Sequence, residues 1–179
     1  PEVRVTGHQW WFEATYLGAS PEHAVRVPTE IHVPVGRPVE LEVESVDVVH
    51  SFWVPRLAGK IDLIPGHRNR VRFVASEAGV YHGECAEFCG MQHAHMRIEV
   101  VAELPEIYDA WLEAQRAPAT ADIHDPEARR GAQVFAQNAC PLCHTVRGTP
   151  ALGTVGPDLT HVGSRRRIAG GMLDNDTAN

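Results

Sequence analysis

The sequence predicts a mainly β protein, a sandwich or Greek-key barrel over residues 1–116, followed by a small α-helical segment from residue 126. Three observations carry this. Short runs rich in Val, Ile and aromatic residues alternate with charged side chains at a period of two, cut by Gly and Pro turns. The apolar period lengthens to a helical one after residue 101. Beyond a Pro/Ala/Thr stretch, a new helix start precedes a tight cysteine pair.

Val3–Val5, Trp10–Tyr16, His23–Val27, Ile31–Val33 and Val39–Val43 read as strands. In the last of these, Val39, Leu41 and Val43 alternate with Glu40, Glu42 and Glu44, giving one dry face and one wet face. Asn69–Val74 repeats the alternation, and Tyr81–Glu84 and Arg97–Val100 flank the loop 85–96. Gly36-Arg-Pro38, Pro65-Gly66 and Glu77-Ala-Gly79 mark turns. Leu104, Tyr108, Trp111 and Leu112 stand at helical spacing. Residues 117–125 read as a linker. Asp125-Pro126-Glu127 then opens a helix to about Asn138, with Asp as cap and Pro in the first turn. The expected division is 1–116, linker 117–125, and 126–179.

Net charge is −7. Residues 1–120 hold 17 acidic and 10 basic side chains, and the remainder holds six of each. An acidic first part excludes nucleic acid, which needs a basic face. No apolar run reaches the roughly 18–20 residues of a membrane helix, and no secretory leader is visible at Pro1. The chain begins directly in strand-like sequence, so an upstream portion is expected.

Cys85, Cys89, His93 and Met96 fall within one short loop. Thiolate, thioether and imidazole together select copper over hard cations. Two thiols plus His and Met exceed the needs of one ordinary blue-copper ion and suit two coppers bridged by both sulfurs. His50, read as the end of a strand in the segment Asp47–Pro55, can complete the set. A disulfide or half of a zinc site also fits a C-x₃-C alone, but not the coincidence with His93, Met96 and His50. Met91 reads as packing, and His95 as structural or surface. His8, His23, His32, His67 and His82 have no evident metal role, and Trp11, Phe12 and Trp53 read as core or interface.

Cys140-Pro-Leu-Cys143-His144 is the covalent heme c attachment pattern: two thiols for the vinyl groups and an imidazole for the iron. A thioredoxin-like pair or a zinc knuckle are the alternatives; the former should follow a strand in a βαβ unit, and none is visible. The preceding helix carries Gly131 and Phe135 four apart, as in small c-type cytochromes. Gly156-Pro157-Asp-Leu159 resembles the cytochrome segment whose proline carbonyl accepts a hydrogen bond from the proximal His, here Pro157 for His144. No axial methionine is identified. Met172 is the one methionine after the motif, 28 residues beyond His144, and the cytochrome part reads as lacking its second half. Arg165-Arg-Arg167 reads as a solvated face.

Gly7-His-Gln-Trp10, Val49–Pro55, Gly59–Gly66 and Cys85–Met96 resemble subunit II of the heme–copper terminal oxidases, the cytochrome c oxidases, over essentially residues 1–116. The resemblance implies a cupredoxin-like fold with a dinuclear copper centre, CuA. It implies that Cys85 and Cys89 bridge both coppers, that His50 and His93 are terminal ligands, and that Met96 and the Glu87 carbonyl are weak ones. The Glu87 carboxylate would help hold Mg²⁺ at the contact with catalytic subunit I. Trp10 matches the aromatic residue through which electrons enter the copper site. Electrons would pass from cytochrome c or another upstream donor to heme c, to CuA and to the catalytic subunit, which reduces O₂ to water and pumps protons. The implied place is the outer face of a bacterial plasma membrane, anchored by helices preceding Pro1. No acid–base pair or nucleophile for bond chemistry is found. Rival readings are a CuA subunit of a nitric oxide reductase-like enzyme, nitrous oxide reductase (whose propeller order does not fit), a soluble copper/heme carrier, and a zinc- or disulfide-stapled β domain.

Overall fold

The structure, a computed structural model, describes residues 1–18, 24–119 and 124–179. His23 and residues 120–123 of the expected linker therefore lie outside the described residues. Ten strands build two sheets: β1 (Glu2–His8), β2 (Trp11–Tyr16), β3 (Val25–Pro28), β4 (Glu30–Pro34), β5 (Val39–Ser45), β6 (His50–Trp53), β7 (Ile61–Leu63), β8 (Asn69–Phe73), β9 (Gly79–Cys85) and β10 (Arg97–Glu103). The first sheet runs β3-β2-β1-β5-β8 and the second β4-β10-β9-β6-β7. Pairing is parallel at β1–β5 and β4–β10 and antiparallel at the other neighbours.

The alternation makes this a sandwich. Val39, Leu41 and Val43 of β5 point inward and meet Val5, Phe12, Ile31, Phe52, Ile98 and Val100, all buried. Phe12 and Phe52 pack edge to face, centroids 6.3 Å apart. On the outer face Glu40, Glu42 and Glu44 pair with Arg4, Arg68, Arg70 and Arg72. Such exposed pairs contribute little each. They keep that face wet and so hold the register, because a one-residue slip would bury the glutamates.

Helix α1 (Pro105–Arg116) lays Tyr108 against the sandwich, and Trp111 stacks on His32 at 3.9 Å. After it come α2 (Pro126–Gln137) and α3 (Cys140–Cys143), then two-residue strands β11 (Arg167–Ile168) and β12 (Leu173–Asp174). The cap reading holds: the Asp125 carboxylate accepts from Glu127 N–H and Ala128 N–H. Two readings change, and one strand is new. His50 opens β6 rather than ending a strand. β7, too short for a period to show, lies between the turn signals. Arg165–Arg167 is not a solvated face: Arg165 is buried and its two neighbours pair with Glu99. No helix is long and apolar enough to cross a membrane, among the described residues.

Candidate metal centre

β6 and β9 are neighbours in the second sheet, with Phe52 opposite Cys85. That register sets Cys85, the last residue of β9, near His50, the first of β6. The loop between β9 and β10 leaves and returns at one point: Cys85 N–H donates to Met96 O and Ala86 N–H to Ser51 O, each at 2.9 Å. Its ligand side chains therefore turn back onto the end of the sandwich.

Cys85 Sγ and Cys89 Sγ lie 3.8 Å apart. That is far beyond a disulfide bond of about 2.05 Å. A first-row ion bonds thiolate at about 2.3 Å, so both sulfurs are close enough to share an ion. Each sulfur faces its own imidazole: Cys85 to His50 Nδ1 at 3.8 Å, Cys89 to His93 Nδ1 at 3.6 Å. Met96 Sδ is 3.9 Å from Cys89 Sγ, and the Glu87 carbonyl is 3.3 Å from Cys85 Sγ. The structure thus gathers His50, Cys85, Cys89, His93, Met96 and the Glu87 carbonyl. His50, both cysteines and Met96 are buried. The donor set fits soft divalent or monovalent copper. The Glu87 residue itself is exposed.

Burial opposes ionisation of both thiols. For Cys85, contacts with His50 and with the Glu87 and Ser51 backbone overcome it and bring the thiol down to about 6. For Cys89, burial and the neighbouring Cys85 sulfur act together and push it up to about 12. The two thiols are thus pushed in opposite directions, and a bound cation would favour the thiolate form of both.

Two residues that sequence reasoning missed hold the cage. Asp47 Oδ1 lies 2.7 Å from His50 Nε2, which turns Nδ1 toward the sulfurs. The same carboxylate accepts from Gln9 N–H at 2.7 Å, tying the β1–β2 turn to β6. Gln9 Nε2 donates to Cys89 O at 2.8 Å, beside the Trp10 indole N–H at 2.9 Å. The Trp10 ring lies so close over Gly90 (φ +114°) that a Cβ there would sit 3.1 Å from it. The only hint was proximity: Gln9 adjoins Trp10, and Asp47 stands three before His50. Met91 is corrected: it is 88% exposed and packs nothing. His95 is exposed and bonds Gln92, and His8 stacks on Trp11.

The second cysteine pair sits differently. Cys140 and Cys143 are free thiols at the two ends of α3, half-buried and exposed. His144 Nδ1 faces Pro157 O at 2.8 Å, the pairing expected from the sequence. An apolar cavity of about 550 Å³ lies along α2, lined by Gly131, Ala132, Phe135, Pro141, Val146 and Ala151 among others. None of the α2 residues is buried. The residues fit a large apolar group beside the two thiols. Met172 follows a turn whose main neighbours are β2 and β10, so it is carried by the sandwich rather than by α3.

A family model described as "Cytochrome C oxidase subunit II, periplasmic domain" matches residues 12–103. Cytochrome c oxidase subunit 2 of Alkalihalophilus pseudofirmus is 41% identical over 97% of this chain and 49% of its own length. The subunit 2 of a Synechocystis species is 43% identical over 65% of this chain and 33% of its own. The chain spans about half the length, or less, of these curated relatives. Among solved structures, the periplasmic domain of subunit II of cytochrome oxidase (CoxB) of Bradyrhizobium japonicum superposes with a TM-score of 0.60 at 28% identity, covering 64% of this chain and 92% of that one. Its likeness identifies the sandwich as cupredoxin-like.

Proposed function

The chain belongs to the cytochrome c oxidase subunit II family, and from that premise we propose that it is the electron-transfer portion of a terminal oxidase. In this reading Cys140, Cys143 and His144 hold heme c, which passes electrons to a dicopper CuA centre on His50, Cys85, Cys89, His93, Met96 and the Glu87 carbonyl, and so to catalytic subunit I for reduction of O₂ to water. Cytochrome c or another upstream donor reduces the heme. Glu87, which is exposed, is a ligand for Mg²⁺ at the contact with subunit I. The portion stands on the periplasmic face of the membrane-bound oxidase.

The observation that carries this reading is the pair of buried sulfurs 3.8 Å apart, each facing a separate imidazole Nδ1. The metal pair would supply a site that gains and loses one electron. The chain supplies the rest. Buried walls exclude water and its rearrangement around a changing charge. Asp47 fixes the ring of His50. Trp10 bonds the Cys89 carbonyl and so offers a short path from the surface to a ligand. That one relative matches nearly the whole chain while another of similar identity matches 65% supports a separable C-terminal module, residues 126–179.

The test is the optical and electron paramagnetic resonance spectrum of the copper-loaded chain. The expected result is a purple protein with one unpaired electron shared over two copper nuclei, abolished by Cys85→Ser or Cys89→Ser. A mononuclear signal from the unaltered chain would refute the reading.

A further inference from the structure

Alternating strands on the outside of the second sheet should leave their polar face wet. Part of it is dry. Every residue of β4 is buried, and the Glu99 side chain of β10 is 3% exposed. Ile31, Val33, Ile98 and Val100 fill the core, so Glu30, His32 and Glu99 face outward and something covers them. Over His32 the cover is Trp111 of α1. Over the two glutamates it is the C-terminal module. Arg166 backbone N–H donates to Glu30, Arg166 Nε to Glu99 at 3.1 Å and Arg167 Nε to Glu99 at 3.2 Å. His82 Nδ1 also reaches Glu99, at 3.2 Å.

Three further contacts belong to the same seam. Arg165, itself buried, donates to Gln115 Oε1 of α1 at 3.2 Å. Arg147 donates to the Gln115 and Arg116 carbonyls, and His161 Nε2 lies 2.9 Å from Ala117 O. Those carbonyls end α1 and lack helical donors. The turn Ala169–Gly171 rests on β2 and β10; Gly170 has φ +68°, and a Cβ there would come 2.6 Å from Trp10 O. A buried carboxylate keeps its charge only with well-placed partners. A run of three arginines meeting two buried glutamates, a glutamine and close glycine packing is a built seam.

We propose that Arg165, Arg166 and Arg167 form an internal docking key that seats the C-terminal module on the β4–β10 face, with its His144–Pro157 side beside Trp10. Trp10, Pro157, Leu159 and Ile168 line one cavity of about 250 Å³. Pro157 O is the atom His144 faces, and Cys89 O is the atom the Trp10 indole bonds. Trp10 thus borders both the loop that carries Cys89 and the carbonyl that His144 faces. A tether alone would give an effective concentration on the order of millimolar and many poses; the key selects one. What the pose conveys rests on the function proposed above. The docking itself does not.

The test has two arms on the full chain and on Arg166→Glu/Arg167→Glu. Hydrogen exchange reads docking without any cofactor: residues 165–172 should be protected in the unaltered chain and lose that protection in the double variant, while 97–101, paired with β4 and β9 on either side, and 39–43 stay protected. In chain loaded with heme and copper, heme-to-copper electron transfer after photoreduction should slow about tenfold or more in the variant, with both optical spectra intact. Adding Glu99→Arg should restore part of both. Unprotected residues 165–172 in the unaltered chain, or a variant that matches it in exchange or rate, would overturn the key. Failure of the unaltered chain to take up heme or copper would instead sink the electron-transfer reading and leave the exchange arm to decide the docking.

Discussion

The copper end and the segment around α3 each bring two cysteines and a histidine together within a few residues, but on opposite kinds of support. At the copper end His50, Cys85, Cys89 and Met96 are buried, and their backbone is stitched to β6, β9 and β10. Around α3 the thiols are open, α2 has no buried residue, and an apolar cavity runs along it. The first site is organised by the fold before any metal arrives. The second, in the reading proposed above, is a scaffold that a bound cofactor would complete as a core. Small-domain physics explains this: a segment of about 50 residues cannot bury enough apolar surface alone.

The largest expected effect tests that contrast with one residue type in both places. Phe12, fully buried against Phe52, should cost about 3–5 kcal/mol of sandwich stability when changed to Ala. Phe135, half-buried beside the cavity, should cost the heme-free chain under about 1 kcal/mol when changed to Ala. Urea unfolding followed by tryptophan fluorescence measures both. Equal costs would mean that α2 packs as firmly as β2.

How far the two regions could be read from sequence follows the same line. The alternation in β5 and the cap at Asp125 were legible because each rests on neighbours in sequence. The candidate ligands could be gathered from sequence because Cys85, Cys89, His93 and Met96 fall in one loop. Asp47 was not, since a carboxylate three residues before a histidine has many ordinary uses. Arg165–Arg167 misled because like charges in a row usually stay in water. Their partners Glu30 and Glu99 lie 136 and 67 residues away, and only the return of the chain over the second sheet joins them. Met91 shows the converse: its apolar side chain says nothing of which way a loop residue faces.

A middle-sized effect sharpens the claim that the copper end is organised in advance. Asp47→Asn keeps every ligand but replaces the carboxylate facing His50 Nε2. Outer partners of this kind carry about 10–100-fold in metal affinity. The variant should take up copper with that loss in competition with a chelator and keep its spectrum. An unchanged affinity would show that β6 alone aims the ring. A changed spectrum would show that Asp47 does more than aim it.

The smallest effect concerns the seam where sandwich, α1 and the C-terminal module meet. His32 lies between Glu30 and Glu103, with Nδ1 3.0 Å from the latter. Burial works against its imidazolium, but hydrogen bonds to the two carboxylates outweigh it and raise its pKa above 6.5. A raised folded-state value means that the folded protein binds the proton more tightly than the unfolded chain does. The stabilisation is fully present below about pH 6.5 and is lost as pH rises through the folded value. Thermal unfolding of the unaltered chain should therefore exceed that of His32→Gln most at mildly acidic pH, with the gap narrowing toward alkaline pH. The stacking on Trp111 is lost at every pH, so a residual gap should remain there. A gap that widens with pH would mean that His32 is held neutral, and that Glu30 depends for its charge on the Arg166 N–H and on nearby Arg165.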